Sequence, residues 1–262
     1  MNKRLLSVFT MLLLSSLTMA QDKSAFEKRE HSYQQGTLPY RVLYPENFDK
    51  SKQYPLVYFL HGAGERGTDN EKQLVHGSKL FLDSQNRKGY PAIVVFPQCP
   101  PDDYWANVSR EVNPQTGKRD FIFAKKGKPT GAMKGALSLI DSLVKLSYVD
   151  KSRVYISGLS MGGMGTFELV SRRPDTFAAA MPICGGDNPK SAGKYAKKVP
   201  FWVFHGAKDD VVPPKFSEQM VAALKVKEGT VKLSLYPNAN HNSWDSAFAE
   251  PEFLSWLFSQ SK

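Results

Sequence analysis

A serine in a glycine-rich turn is the residue of this chain best placed to act as a nucleophile. Ser160 lies in Gly158-Leu-Ser-Met-Gly162, between a strand-like run at 153–157 and a helix-like run at 164–172. Such a Gly-x-Ser-x-Gly turn is a nucleophile elbow, which is so tight that the flanking positions must be very small. The backbone N–H of Met161 and the positive end of the following helix point to the same place, which favours developing negative charge.

Two further strand ends carry the groups that a serine nucleophile needs. The run at 200–204 leads into a polar turn that contains Asp209, and the run at 231–236 leads into a loop that ends in His241. The imidazole can take the serine proton during attack and return it to the leaving group. A carboxylate holds that imidazole in the required tautomer and stabilises its charged form. The candidates for this acid are, in order of preference, Asp209, Asp210 and Asp187.

The turn at residues 61–67, His-Gly-Ala-Gly-Glu-Arg-Gly, follows a central strand-like run and predicts an oxyanion hole. Acyl transfer places negative charge on the carbonyl oxygen, and preorganised N–H donors stabilise that charge. We expect one donor from Met161 and the other from Ala63, with Gly64 as the alternative. His61 is expected to brace the loop rather than to act in catalysis.

Strands and helices alternate along the chain, which indicates an α/β fold with a mostly parallel central sheet and helices on both faces. The predicted strands are residues 38–44, 55–60, 92–96, 153–157, 177–183, 200–204 and 231–236. The predicted helices are residues 70–84, 133–144, 164–172, 214–225 and 251–258. The three triad candidates then follow strand ends, at the edge of the sheet where α/β active sites form. The one long irregular stretch, 99–130, is interpreted as a binding loop or lid.

The first 20 residues have the features of a secretory signal peptide. Lys3 and Arg4 precede an apolar stretch at 5–17 and a small-residue cleavage site at 18–20. The apolar stretch is short for a membrane span of ~20 residues, and no cysteine follows the cleavage point, so no stable membrane anchor is expected. We therefore predict a secreted or periplasmic bacterial protein with a single domain at 21–262.

The formal net charge of +10 comes from scattered basic residues without a nucleic-acid motif, so nucleic acid is not an expected partner. The two cysteines, Cys99 and Cys184, follow strands that are not expected to be neighbours, which argues against a disulfide. The sequence has no clustered His, Cys and carboxylate motif and no phosphate loop. It therefore predicts neither a metal nor an organic cofactor.

In combination, the motifs resemble those of a known group of enzymes. They are residues 61–67 with Asp69-Asn70, 97–100 (Pro-Gln-Cys-Pro), 150–163, 174–178 and 205–213. The chain resembles the secreted bacterial esterases of the phospholipase/carboxylesterase and dienelactone-hydrolase-like ("predicted peptidase") group, and it is similar to feruloyl and polyhydroxybutyrate-depolymerase-type esterases. The resemblance implies the α/β-hydrolase fold, a triad of Ser160, His241 and Asp209, and an oxyanion hole at Ala63 and Met161. True dienelactone hydrolases carry a cysteine where this chain has Ser160, so dienelactone is not the expected substrate.

The sequence thus predicts a secreted serine carboxylesterase that works through an acyl-enzyme. Trp105 and Trp244 are candidates to line an aromatic or sugar-binding cleft, with ordinary packing as the alternative for both. Aromatic walls and export together favour a feruloyl or acetyl ester on plant polysaccharide, by analogy with the group. The expected partner is a small-molecule or polysaccharide-linked ester. The alternatives are a serine peptidase of the same fold and a non-catalytic carbohydrate-binding homologue.

Overall fold

Eight strands form one central sheet in a computed structural model that describes residues 23–112, 114–115, 117, 119–124 and 127–262. Its strands, listed in chain order, are β1 (Glu27–Tyr33), β2 (Gly36–Leu43), β3 (Tyr54–Leu60) and β4 (Ile93–Pro97), then β7 (Val149–Leu159), β8 (Ala179–Ile183), β9 (Phe201–Gly206) and β10 (Val231–Tyr236). The spatial order is β1-β2-β4-β3-β7-β8-β9-β10. Only the β1–β2 and β2–β4 pairs are antiparallel, so the mostly parallel sheet is confirmed.

Helices cover both faces of the sheet, as the sequence predicts. They are α1 (Ser78–Leu82), α2 (Ser84–Gly89), α3 (Gly131–Leu143), α4 (Met161–Arg172), α5 (Lys215–Val226), α6 (Trp244–Phe248) and α7 (Phe253–Phe258). Alternate side chains of β3 point to opposite faces. Leu56 and Tyr58 pack in one core cluster with α3, α4 and α5. Val57 and Phe59 pack in a second cluster with α1, α6 and α7.

The predicted helix at 70–84 is wrong, because the chain there forms a 3-10 turn and two short helices. Gly77 has a φ of +81°, and a Cβ at this position would lie 2.9 Å from the Phe59 ring. Asp83 then starts a new helix, because its side chain accepts hydrogen bonds from the backbone N–H groups of Gln85 and Asn86. A close approach and a helix cap therefore interrupt what the sequence pattern presents as one helix.

The stretch at 99–130 is also more ordered than expected, since it contains the hairpin of β5 (Val108–Val112) and β6 (Arg119–Phe123). These two strands form a separate small sheet. Phe121 packs against Val212 and Phe216, two residues that follow the Asp209 turn in the chain. The hairpin therefore lies beside the candidate acid.

The predicted signal peptide at 1–20 lies outside the described residues. Within the described ranges, no helix combines the length and apolar character needed to cross a bilayer. Cys99 and Cys184 are both buried free thiols. They follow β4 and β8, which are separated in the sheet by β3 and β7.

Candidate active site

The turn between β7 and α4 holds Ser160 in a strained conformation with φ +53° and ψ −116°. A Cβ at Gly162 would collide with the carbonyl of Leu60, and one at Gly158 would lie 2.5 Å from the Gly162 carbonyl oxygen. Only glycine fits at these two positions, because the turn passes directly over the neighbouring strand. The strain, typically about 1–3 kcal/mol for such a residue, is the kind that is stored at functional sites. It presents a serine that is 9% exposed at the carboxyl edge of the sheet.

The structure brings the three residues of the predicted triad together. His241 Nε2 lies 3.0 Å from Ser160 Oγ, and His241 Nδ1 lies 2.8 Å from Asp209 Oδ2. The loops after β9 and β10 are tied to each other, since Lys208 N–H donates to the Ala239 carbonyl at 3.0 Å. These three side chains, from distant parts of the chain, form one continuous hydrogen-bonded line at the same sheet edge.

Asp209 is the acid in this line, and the other two candidates are not. The Asp209 side chain is fully buried and accepts hydrogen bonds from the backbone N–H groups of Val211 and Val212 at 2.9 and 2.8 Å. Burial alone would raise the pKa of Asp209, but hydrogen bonds from His205 and His241 hold it well below its usual range. The group is therefore a carboxylate, as an imidazolium partner requires.

Neither alternative acid contacts the histidine. Asp210 is exposed, and its backbone N–H donates to the Asn240 side chain at 3.1 Å. Asp187 accepts a hydrogen bond from Ser191 Oγ at 2.7 Å. Asp187 therefore lies in a different part of the structure.

The turn after β3 leads into a 3-10 segment at Ala63–Glu65 and passes close to the elbow at Gly62. A Cβ at Gly62 would lie 2.8 Å from Leu159 Cδ1. Arg66 holds the turn, because its Nε donates to the Ala63 carbonyl at 2.9 Å and its Nη1 donates to the Asp103 carbonyl at 3.3 Å. Met161 is the first residue of α4, where helix N–H groups have no intrahelical partner.

His61 braces this turn from below. Its Nε2 accepts a hydrogen bond from the Cys99 backbone N–H at 2.9 Å, and its Nδ1 donates to the Gly62 carbonyl at 2.6 Å. This pattern requires the neutral imidazole, because Nε2 must keep its lone pair. Burial lowers the pKa of His61 to about 4. The residue stabilises the loop only in its uncharged form.

The stability of the protein is therefore expected to fall in mild acid. His61 protonates near pH 6.5 in the unfolded chain but near 4 in the folded protein. Between these values the unfolded state binds more protons, so the stability present above pH 6.5 is lost as the pH falls towards 4. The shift corresponds to roughly 3 kcal/mol. Urea unfolding at pH 7 and at pH 4.5 measures the loss.

His61→Gln is the matched variant for this prediction, because a glutamine amide can accept and donate hydrogen bonds but does not titrate. It is expected to lose less of its free energy of unfolding between the two pH values than the wild type does. An equal loss in both proteins would show that another group controls the acid sensitivity.

The two candidate tryptophans have different environments. Trp105 is fully buried in the core, and its ring lies 5.4 Å from that of His61. The prediction that Trp105 contacts the substrate is therefore wrong, because packing in the core covers its whole side chain. Trp244 is partly buried, and its ring lies 5.4 Å from His241 and 5.0 Å from His76. It lies beside the candidate base together with His76, a histidine that no sequence motif indicates.

A model of the dienelactone hydrolase family matches residues 78–252 of the chain. A bifunctional acetylxylan esterase/xylanase from Neocallimastix patriciarum is 42% identical over 74 residues, which are 28% of this chain and 11% of that protein. Poly(3-hydroxyalkanoate) depolymerase C from Paucimonas lemoignei is 38% identical over 135 residues, 50% of this chain and 28% of that protein. Dipeptidyl-peptidase 5 from Aspergillus fumigatus is 76% identical over only 22 residues, 8% of this chain and 3% of that protein. The chain thus spans much less than half the length of the curated relatives it matches.

Solved structures share the fold over nearly the whole described chain. The crystal structure of a thermostable esterase has a TM-score of 0.79 and 33% identity, covering 91% of this chain and 64% of that one. A CE1 ferulic acid esterase from Anaeromyces mucronatus has a TM-score of 0.59 and 18% identity, covering 90% of both chains. The second likeness bears on the fold alone. With the family match, these structures confirm the predicted α/β-hydrolase fold.

Proposed function

Because the chain belongs to the dienelactone hydrolase family, we propose that it is a serine carboxylesterase in which Ser160, His241 and Asp209 are the catalytic residues. The observation that carries the proposal is the unbroken line of hydrogen bonds from the Ser160 hydroxyl through the imidazole to a buried carboxylate. The strained elbow supports it, since the fold holds the serine in this position at an energetic cost.

Acylation begins when the Ser160 hydroxyl attacks the ester carbonyl carbon. His241 Nε2 takes the hydroxyl proton as the new C–O bond forms, and Asp209 stabilises the imidazolium. The carbonyl oxygen becomes an oxyanion, and the backbone N–H groups of Ala63 and Met161 are the donors proposed to bind it. The tetrahedral intermediate then expels the alcohol, which receives its proton from His241. The products of this half are the free alcohol and an acyl-serine.

Deacylation repeats the same proton transfers with water as the nucleophile. His241 removes a proton from the water while its oxygen attacks the acyl carbonyl, and the same two N–H groups bind the second oxyanion. Collapse of this intermediate breaks the bond to Ser160 Oγ, which recovers its proton from His241. The carboxylic acid leaves and the resting triad is restored.

For the substrate, we propose a feruloyl or acetyl ester linked to plant polysaccharide. Trp244 provides an aromatic surface beside His241, where the acyl or alcohol group of a bound ester would lie. The match to a bifunctional acetylxylan esterase/xylanase supports this substrate class. The apolar N-terminal stretch supports secretion or residence in the periplasm, which is where such a substrate would be met.

The test is a panel of substrates offered to the purified protein. We expect labelling of Ser160 by a fluorophosphonate, hydrolysis of p-nitrophenyl acetate, and release of ferulate or acetate from feruloylated or acetylated xylan. The Ser160→Ala protein provides the background for both the label and the hydrolysis. Cleavage of the p-nitrophenyl ester without any release from xylan would refute the polysaccharide substrate but not the esterase.

The panel also separates the two alternatives once an amide substrate is added to it. A dipeptide p-nitroanilide tests the serine peptidase, which the short match to dipeptidyl-peptidase 5 favours. Faster turnover of this amide than of the esters would replace the proposed function. Failure of the fluorophosphonate to label the folded protein would instead favour a non-catalytic carbohydrate-binding homologue.

A further inference from the structure

A buried thiol lies beside the acid and base of the triad. Cys184 directly follows β8, and β8 lies between β7, which leads to Ser160, and β9, which leads to Asp209. The thiol sulfur, a carboxylate oxygen of Asp209 and a ring nitrogen of His241 all lie within 4.8 Å of one another. Among the described residues, this is the only group of three or more such side chains close enough to share a metal ion.

The chemistry of these three groups suits a thiophilic divalent cation. A thiolate and a carboxylate together carry two negative charges, which balance a dication, and the imidazole adds a neutral third ligand. Cysteine, histidine and aspartate are all zinc ligands, and a thiolate favours zinc-like ions over magnesium or calcium. In a tetrahedral zinc site the ligand atoms stand about 3–4 Å apart. Side-chain shifts of about 1 Å, which draw the sulfur inwards and part the Asp209 and His241 atoms from their 2.8 Å contact, would therefore place all three ligand atoms around an ion.

We propose that Cys184, Asp209 and His241 form an inhibitory binding site for a thiophilic divalent cation such as Zn²⁺ or Cd²⁺. The inhibition rests on the proposed function, since it acts through the general base of that mechanism. Binding of the ion itself depends only on the three side chains.

The proton movements explain why the bound ion inhibits. In the resting triad, Nδ1 of His241 donates its proton to Asp209, and Nε2 accepts from the serine hydroxyl. An ion bound to Nδ1 displaces this proton, which moves to Nε2, so the imidazole stays neutral. Nε2 then carries a hydrogen and has no lone pair to accept the Ser160 proton.

The Cys184 thiol also changes its protonation state when the ion binds. Burial raises the pKa of Cys184, so without an ion the sulfur is protonated and unreactive. Coordination deprotonates a thiol, and this proton leaves to solvent. One dication therefore binds with release of one proton, and the occupied site is electrically neutral.

The test compares inhibition of p-nitrophenyl acetate hydrolysis by Cd²⁺, Zn²⁺ and Mg²⁺ in the wild type, Cys184→Ala and Cys99→Ala. Cys99 is the matched control, because it is the other buried free thiol of the chain. Each protein is measured against its own metal-free rate. We expect Cd²⁺ and Zn²⁺, but not Mg²⁺, to inhibit the wild type and Cys99→Ala. Cys184→Ala should need at least about tenfold more ion, since loss of even an outer partner costs roughly 10–100-fold in metal affinity.

A second measurement does not depend on activity. Cd²⁺ is titrated into the Ser160→Ala protein, and the ultraviolet charge-transfer absorption of a cadmium–thiolate bond is followed. We expect one such bond per chain, and none after Cys184→Ala is added to Ser160→Ala. Absence of the absorption, or equal inhibition of the wild type and Cys184→Ala, overturns the proposal. If the absorption appears but the wild-type protein cleaves no ester, the metal site is supported and the proposed function is refuted.

Discussion

Replacement of Ser160 by alanine is expected to lower kcat for p-nitrophenyl acetate by about 10⁶-fold, the scale seen when a triad nucleophile is removed. Alanine keeps the Cβ, so the elbow and its hydrogen bond from Ser160 N–H to the Ile183 carbonyl remain. The loss then comes from the missing nucleophile alone. Steady-state kinetics give the rate, and circular dichroism shows that the variant is folded.

The losses of kcat on removing the nucleophile and on removing the base are expected not to be additive. Because His241 contributes by accepting the Ser160 proton, the double variant Ser160→Ala/His241→Ala should be no slower than Ser160→Ala alone. Ser157→Ala is the matched control, since this serine lies on β7 with its hydroxyl bonded to the Met181 carbonyl at 2.8 Å. Its kcat should stay near that of the wild type. Additive losses in the double variant would mean that the two side chains do not act together.

The convergence of the triad could be predicted because it depends on few physical rules. Parallel strands present their carboxyl ends at one edge, so residues that follow β7, β9 and β10 must come close together. The glycines at 158 and 162 show that the elbow allows no side chain on either flank. The sequence also favours Asp209 over Asp210, because Asp209 directly follows the turn at the strand end.

Other features depend on contacts that no local pattern encodes. Trp105 lies in the long irregular stretch at 99–130, which predicts a binding loop or lid, yet it packs against His61 and Gly165 in the core. The edge strand β1 is mostly exposed and charged, so it lacks the apolar alternation by which a strand is recognised. The hairpin strand β5 is also mostly exposed, and the sequence pattern misses it for the same reason.

The position of Cys184 could not be predicted either, because it depends on the order of the strands in the sheet. The thiol is 57 residues from His241 in the chain, and only the placement of β8 between β7 and β9 brings them together. The sequence shows no His, Cys and carboxylate motif, because the three ligands come from three separate loops. Sequence spacing alone therefore could not indicate the candidate cation site.

Asp209→Asn is expected to lower kcat by about 10⁴-fold while the protein stays folded. The asparagine has almost the same shape and can still accept from the backbone N–H groups of Val211 and Val212. It carries no charge to stabilise the imidazolium, and its amide can donate to Nδ1, which places the histidine proton on Nε2. His241 then cannot accept the proton of Ser160. KM is expected to change little, because Asp209 is buried behind the histidine.

Asp210→Asn and Asp187→Asn are the matched controls, since each removes one carboxylate that does not contact His241. Both should keep kcat close to that of the wild type, because neither carboxylate contacts a reacting group. A loss of activity in Asp210→Asn as large as in Asp209→Asn would mean that the loop changes partner when substrate binds. A 10⁴-fold loss confined to Asp209→Asn would instead show that the buried carboxylate, rather than the negative charge of the loop, makes His241 a base.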